Sequence, residues 1–235
     1  MGSGRGGGPL LRYLRALAAI IWKDLRLEWR TGEALLTPAL LALLLLLVII
    51  FALPPGVARM EGVFTASLWT ALFFAGTVGL SRSFARERAE GRLWGLLLAP
   101  VDRSAVFLAK GLASFLFLAL VALVTMPAFF AVFGQSLAAP LWRWVVLVGL
   151  VLLATSGAGT LVAALAAQLR AGEVLYPVLL FPLLVPVVLA AVHLTDALLA
   201  AGGWGEARAW MHMLILYNIL FWGVPYLIFE YVVEV

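Results

Sequence analysis

The sequence has no cysteine, few charged residues and only two histidines, and each shortage excludes a kind of chemistry. Without cysteine the chain forms no disulfide and offers no thiolate to a metal or a prosthetic group. Charged residues make up 12% of the chain, whereas a soluble domain carries about 25%. Because 65% of the 235 residues are hydrophobic, so few charges could not cover a water-exposed surface, and lipid must be part of the solvent.

Long apolar runs predict an all-α, polytopic membrane protein with about six transmembrane helices. The spans are expected at about 37–53, 63–80, 104–133, 141–167, 174–194 and 211–232. The third is longer than the roughly 20 residues that a bilayer requires, so Pro127 is expected to bend or end it. Lys110, near the start of that span, can reach the lipid headgroups with its long side chain, so it need not have a function there.

The predicted organisation has three parts. Residues 1–9 are rich in glycine and predicted to be disordered, residues 10–36 form an interfacial amphipathic helix, and residues 37–235 form the transmembrane domain. Basic residues are concentrated on one predicted side of the membrane, and the opposite loops hold only Arg59, Arg143 and Arg208. This asymmetry predicts that both termini are cytoplasmic. The net charge of +4 is therefore explained by helix orientation, and no nucleic-acid partner is expected.

The interfacial helix separates basic from apolar side chains. A basic stripe lies opposite an apolar face that includes Leu14, Leu17 and Ile21. This pattern is typical of a helix that lies on a membrane surface with anionic headgroups. The residues expected to anchor it are Arg12, Arg15, Trp22, Lys23, Arg26 and Trp29. The alternative, a charged anchor before the first span, accounts for the charges but not for their phasing.

The predicted spans hold almost no ionisable residues. A proton- or sodium-coupled carrier needs acids or a histidine near the midplane to bind the coupling ion. The sequence also has no phosphate-binding loop, no zinc-protease helix and no serine nucleophile motif. We therefore expect neither catalysis nor ATP hydrolysis nor a metal site in this chain, and energy for transport would have to come from a partner.

The segment 81–104 is the longest predicted cytoplasmic connection. A charged stretch ends at Glu90, and Gly91 leads into an apolar block closed by Pro100. A short apolar helix must bury one face, on the bilayer surface or in a groove of another protein. The stretch from Glu90 to Pro100 resembles the loop after the second span of ABC-2-type transporter permeases, which contacts the ATPase subunit. The resemblance implies that the coupling residues are Glu87, Glu90, Gly91, Leu93, Trp94, Leu96, Leu97 and Pro100.

A second stretch narrows the resemblance. A small-residue helix from Gly157, a basic turn at Arg170 and a helix with Pro177, Pro182 and Pro186 follow one another. This order is similar to the fourth and fifth spans of the haem exporter protein B (CcmB) family. Each proline removes a backbone donor, so the fifth span is expected to be kinked or locally open.

The resemblance implies a permease subunit for cytochrome c maturation in the bacterial inner membrane. Its implied partners are a CcmA-like ATPase that binds the ATP, haem-handling membrane subunits of the CcmC and CcmD type, and membrane lipids. A homodimer is expected, and small residues at Gly149, Gly157 and Gly159 allow close helix contact. Haem is a possible cargo rather than a resident cofactor, and either haem export or ATP-driven release of a haem-loaded chaperone fits.

Other readings stay open. The chain could be an ABC-2 permease for a lipid, glycan or drug, or a membrane scaffold that transports nothing. His193 and His212 are the only imidazoles, and each is either a haem ligand or an ordinary interfacial residue. Phe129, Phe130 and Phe133 either face a flat apolar ligand or belong to lipid-facing or packed surfaces.

Overall fold

The computed structural model describes residues 9–31, 33–54, 57, 62–89, 103–167, 169, 172–200, 204–205 and 207–227. Its helices are α1 (Pro9–Thr31), α2 (Glu33–Ala52), α3 (Val63–Ala89), α4 (Arg103–Phe133), α5 (Leu141–Ala167), α6 (Gly172–Leu199) and α7 (Arg208–Asn218). Helix α7 continues as a π-helical turn, Ile219–Gly223, and stays helical to residue 227. No β-strand occurs in these ranges.

Six helices, α2 to α7, are long and apolar enough to cross a membrane among the residues that the structure describes. The prediction of an all-α, multi-pass membrane protein is confirmed. Helix α4 continues past Pro127 to Phe133, so this proline does not end the span. Helix α6 begins earlier and ends later than predicted and is unbroken through Pro177, Pro182 and Pro186. A bend at these three positions stays a prediction.

The antiparallel order of the spans gives the bundle two ends. At the α1 end, α1 packs against the first turns of α4, with Ile20 against Val106. At the other end, called the distal end, the start of α3 meets the end of α4, where the rings of Phe64 and Phe130 lie 4.9 Å apart. The α1 end therefore also holds the end of α3, where the predicted coupling loop begins.

Small residues allow the spans to pack closely. A Cβ on Gly79 of α3 would lie 2.7 Å from the ring of Phe117 on α4, and one on Gly76 would lie 2.8 Å from Leu118. Within lipid the attraction between helices comes mainly from such van der Waals contacts and from interhelical hydrogen bonds. These glycines fix α3 directly against α4, which places the two flanks of the predicted coupling loop on neighbouring helices.

Several polar groups inside the spans bond within the protein, which a hydrocarbon environment favours. The Tyr217 hydroxyl of α7 donates to the carbonyl of Leu183, three residues before Pro186 on α6 (2.8 Å). This bond therefore joins α7 to α6 beside a proline. The buried indole of Trp69 on α3 donates to the Thr195 hydroxyl of α6 (2.8 Å).

We expect Thr195→Val to lower the free energy of unfolding by about 1–2 kcal/mol, because the buried Trp69 indole loses its acceptor. Denaturation with SDS in mixed micelles would measure the change. Thr155→Val is the matched control, since the buried Thr155 hydroxyl bonds only to Val151 of its own helix. It should cost less than about 1 kcal/mol, and equal losses in both variants would contradict the role given to the interhelical bond.

Candidate coupling site at the α1 end

Helix α1 packs part of its apolar face on the protein. Ile20 is buried against Val106 and Ala109 of α4, with Leu17 and Ile21 beside it. Leu14 and Trp22 are 51% and 68% exposed. The single lipid-facing surface expected from the sequence is therefore divided, because α4 covers part of it. Whether the exposed part lies on a membrane stays a prediction.

A buried ion pair joins the same two helices. The Nζ of Lys110 on α4 lies 2.8 Å from Oδ2 of Asp24 on α1, and the two residues are 6% and 8% exposed. Lys23 adds a second ammonium, 3.0 Å from the other carboxylate oxygen, but its side chain is 38% exposed. The expectation that Lys110 reaches the headgroups is wrong. Asp24 supplies a counter-charge at the same depth, so pairing replaces extension toward water.

Gly111, the residue after Lys110, contacts a different helix, the continuation of α7. A Cβ on Gly111 would lie 2.7 Å from Cη2 of Trp222, and a Cβ on Gly157 of α5 would lie 2.5 Å from its Nε1. The indole therefore fits between α4 and α5 only because both positions lack a side chain. Its N–H donates to the carbonyl of Leu153 (2.8 Å), and its ring meets Phe107 edge-on with centroids 6.0 Å apart.

The π-helical turn accounts for the direction of Trp222. Such turns insert an extra residue into a helix, which leaves backbone groups to be satisfied and changes the direction of the side chains that follow, frequently at functional sites. Asn218, just before the turn, donates from its buried amide to Leu150 of α5 (3.1 Å) and to Leu214 of its own helix (2.8 Å). Helix α7 is thus bonded to α5 just before the turn, through Asn218, and within it, through Trp222.

These contacts define one assembly, the α4 clamp, made of Asp24, Lys110, Gly111, Gly157 and Trp222. Two consecutive residues of α4 hold α1 on one side and α7 on the other. Helix α4 begins at Arg103, at the end of the predicted coupling loop 81–104. A displacement of the first turns of α4 would therefore act on α1 and α7 together.

Most of the predicted coupling residues lie outside the described residues. These are Glu90, Gly91, Leu93, Trp94, Leu96, Leu97 and Pro100, and for Glu87, in the last turn of α3, only the backbone is described. Of the predicted anchoring residues, Arg15, Trp22 and Arg26 are exposed and Lys23 is partly covered beside Asp24, whereas the side chains of Arg12 and Trp29 are outside the description. The roles of both groups stay predictions.

The distal end is rich in packed aromatic rings. Phe64 meets Phe130 and Phe133 edge-on, and Phe129 stacks on Phe133. Both Phe129 and Phe133 are buried, so the packed-core reading of these rings is confirmed. His193 is exposed and stacks on Trp210 with ring centroids 4.4 Å apart. A role for this histidine in binding a ligand stays a prediction.

Comparison with known sequences decides the family. A family model described as CcmB protein matches residues 15–228. The chain belongs to the CcmB family. It is similar to "Heme exporter protein B" of Bradyrhizobium diazoefficiens, with 29% identity over 190 residues, or 79% of this chain and 83% of that protein. It is also similar to "Heme exporter protein B" of Rhodobacter capsulatus, with 30% identity over 178 residues, or 76% and 81% of the two chains.

The family resemblance read from the sequence is therefore confirmed, and the matched region of this CcmB family member includes the whole α4 clamp.

The clamp itself was not predicted from the sequence. Two signals pointed to it: an acid, Asp24, one turn after Ile20 on a mainly apolar face, and a lone lysine within a span. The place of Trp222 between Gly111 and Gly157 gave no signal, since nothing in the sequence makes α4, α5 and α7 neighbours.

Proposed function

We propose that the chain is the membrane-spanning permease subunit of an ATP-driven haem exporter that serves cytochrome c maturation. Membership of the CcmB family and the names of the two similar proteins support the cargo. The α4 clamp is the observation that carries the mechanism, because it ties the helix after the predicted coupling loop to two other helices. The sequence has no nucleotide-binding motif of its own, in keeping with a separate ATPase.

In the proposed mechanism a CcmA-like ATPase binds the apolar block from Leu93 to Ala99 at the cytoplasmic face of the inner membrane. Closure of the ATPase displaces the start of α4. The Asp24–Lys110 pair transmits that displacement to α1, and the Trp222 contact transmits it to α7. An ATPase dimer has two docking grooves, so two copies of this chain complete the complex. Subunits of the CcmC and CcmD type handle the haem beside it.

The same coupling could move haem or release a haem-loaded chaperone by using ATP. Affinity purification from native membranes, followed by mass spectrometry, tests the common part of the proposal. An ATPase together with haem-handling membrane subunits is the expected result. An ATPase with other companions would retain the permease and reject haem, and no ATPase in a mild detergent would reject both.

We expect Leu97→Asp to abolish co-purification of the ATPase. The change places a charge in an apolar face that the proposal buries, which costs about 2–5 kcal/mol at such an interface. Leu97→Met is the control and should retain the ATPase, because it keeps the volume and the apolar character. Retention of the ATPase by Leu97→Asp would show that the ATPase docks elsewhere.

Pro182→Ala tests the scaffold alternative, which requires ATP turnover to be unaffected by changes in the spans.

A further inference from the structure

A basic and aromatic cluster at the distal end has no part in the α4 clamp. The guanidinium Cζ of Arg143, in the first turn of α5, lies 5.4 Å from the ring centroid of Trp142 and 6.0 Å from that of Trp204. The two indoles meet edge-on, with centroids 5.6 Å apart. Trp204 belongs to the connection between α6 and α7. Two separate parts of the chain therefore hold one guanidinium in place.

Arg143 and Trp204 carry hydrogen-bond donors that have no acceptor among the described residues. Within the described ranges no carboxylate pairs with Arg143, whose contacts are the two indole rings. The indole Nε1 of Trp204 is buried, and no residue in the described part of the chain accepts a hydrogen bond from it. A guanidinium has five N–H donors and no acceptor, and an indole has one N–H donor. The group that complements them is an oxyanion, a carboxylate or a phosphate, which accepts several charge-assisted hydrogen bonds at once.

The surroundings of the cluster indicate the rest of the ligand. Trp142 is 57% exposed and its neighbour Leu141 is 65% exposed, at the point where span α5 begins. The cluster therefore opens onto the apolar surface that faces lipid. A ligand there needs an apolar body beside its acid group. We propose that Trp142, Arg143 and Trp204 bind the acid group of a membrane amphiphile.

Two sources supply this chemistry. One is haem, a flat apolar ring system with two propionate carboxylates; this source rests on the proposed function. The other is a phospholipid with its phosphodiester; this source does not depend on haem export. Arg208 is the matched control, because it is an exposed arginine at the same end of the bundle, in the first turn of α7, and contacts no aromatic ring of the residues that the structure describes. An arginine that merely lies at headgroup level would behave like Arg208.

The test compares Arg143→Gln with Arg208→Gln in the full chain, purified in maltoside micelles that contain no phosphate. Zinc protoporphyrin IX and its dimethyl ester are titrated separately and followed by porphyrin fluorescence. Native mass spectrometry counts the phosphatidylglycerol molecules that each variant retains. We expect Arg143→Gln to weaken binding of the acid ligand about tenfold, equivalent to about 1.4 kcal/mol, and Arg208→Gln to leave it unchanged.

A tenfold loss for the free acid but not for the ester supports the site with haem carboxylates as the source. Loss of retained phosphatidylglycerol in Arg143→Gln alone supports the site with phospholipid as the source, even if the haem proposal fails. Equal behaviour of the two variants in both assays would overturn the site. If Arg143→Gln does not fold, Arg143→Lys and Trp204→Phe carry the comparison. Arg143→Lys keeps the positive charge but loses the planar guanidinium, and Trp204→Phe keeps an aromatic ring but loses the indole N–H.

Discussion

Replacing Lys110 by methionine should lower the free energy of unfolding by about 3 kcal/mol, within the range measured when one partner of a buried ion pair is removed. The substitution keeps the volume of the side chain and removes its charge. Among the described residues, the carboxylate of Asp24, 8% exposed, then keeps only Lys23, whose side chain is 38% exposed. Denaturation with SDS in mixed micelles measures the loss, and limited proteolysis reports whether α1 has separated from α4.

The double variant Asp24→Leu with Lys110→Met separates charge from packing. Replacement of a whole buried pair by apolar residues is often neutral or stabilising, so the double variant should recover to within about 1 kcal/mol of the parent. Lys23→Met serves as the control and should cost less than about 1 kcal/mol, as exposed pairs do. A loss from Lys110→Met no larger than that from Lys23→Met would mean that the buried pair does not hold α1.

In the proposed mechanism the double variant has a second use. It restores the packing of α1 without the charges, so stability returns while the directional contact between Asp24 and Lys110 is absent. Comparing its ATP turnover and its yield of mature cytochrome c with those of the parent would show whether the pair transmits movement or only stabilises the bundle. Recovery of stability without recovery of turnover is the expected result.

Gly157→Ala should destabilise the protein by about 1–3 kcal/mol, the usual cost of adding volume to a packed core. The new methyl group would lie 2.5 Å from Nε1 of Trp222 and 3.2 Å from the carbonyl oxygen of Phe221. The indole cannot move away without losing its 2.8 Å bond to Leu153. The destabilisation caused by the added methyl group exceeds the roughly 1 kcal/mol that alanine gains over glycine in helix propensity.

Gly149→Ala is the matched control for that prediction. Gly149 lies on the same helix, and a Cβ there would meet nothing within 4 Å. The variant should be neutral or gain up to about 1 kcal/mol from helix propensity. A cycle with Trp222→Leu should show strong coupling to Gly157→Ala and none to Gly149→Ala. Equal effects of the two glycine substitutions would contradict the close fit around Trp222.

The spans were predictable because each is a continuous run of apolar residues long enough to cross a bilayer. The ends of α6 were less so, since the predicted span, 174–194, is shorter than the helix Gly172–Leu199. Helix α6 stays unbroken through its three prolines, and the Tyr217 hydroxyl of α7 bonds to it beside Pro186. That contact depends on α7 lying beside α6, which a linear pattern does not state.

The clamp was not predictable for the same reason. Asp24 and Lys110 are 86 residues apart, and Trp222 and Leu153 are 69 apart. Three glycines were expected to allow close contact between helices. Gly157 and Gly159 do so, whereas a Cβ on Gly149 would meet no atom of the described chain within 4 Å. Composition identifies residues able to make such contacts, but the partner follows only from which helices pack together. The coupling residues from Glu90 to Pro100 stay predictions from the motif.

The separation of 86 residues between Asp24 and Lys110 also sets an order of events during synthesis. At about 5–20 residues per second, the ribosome completes α1 several seconds before α4 exists. During that interval Asp24 has no buried partner, so α1 must stay where water can reach its carboxylate. Helix α1 therefore docks only after the third span has been inserted, and nascent chains that stop before α4 would leave it undocked.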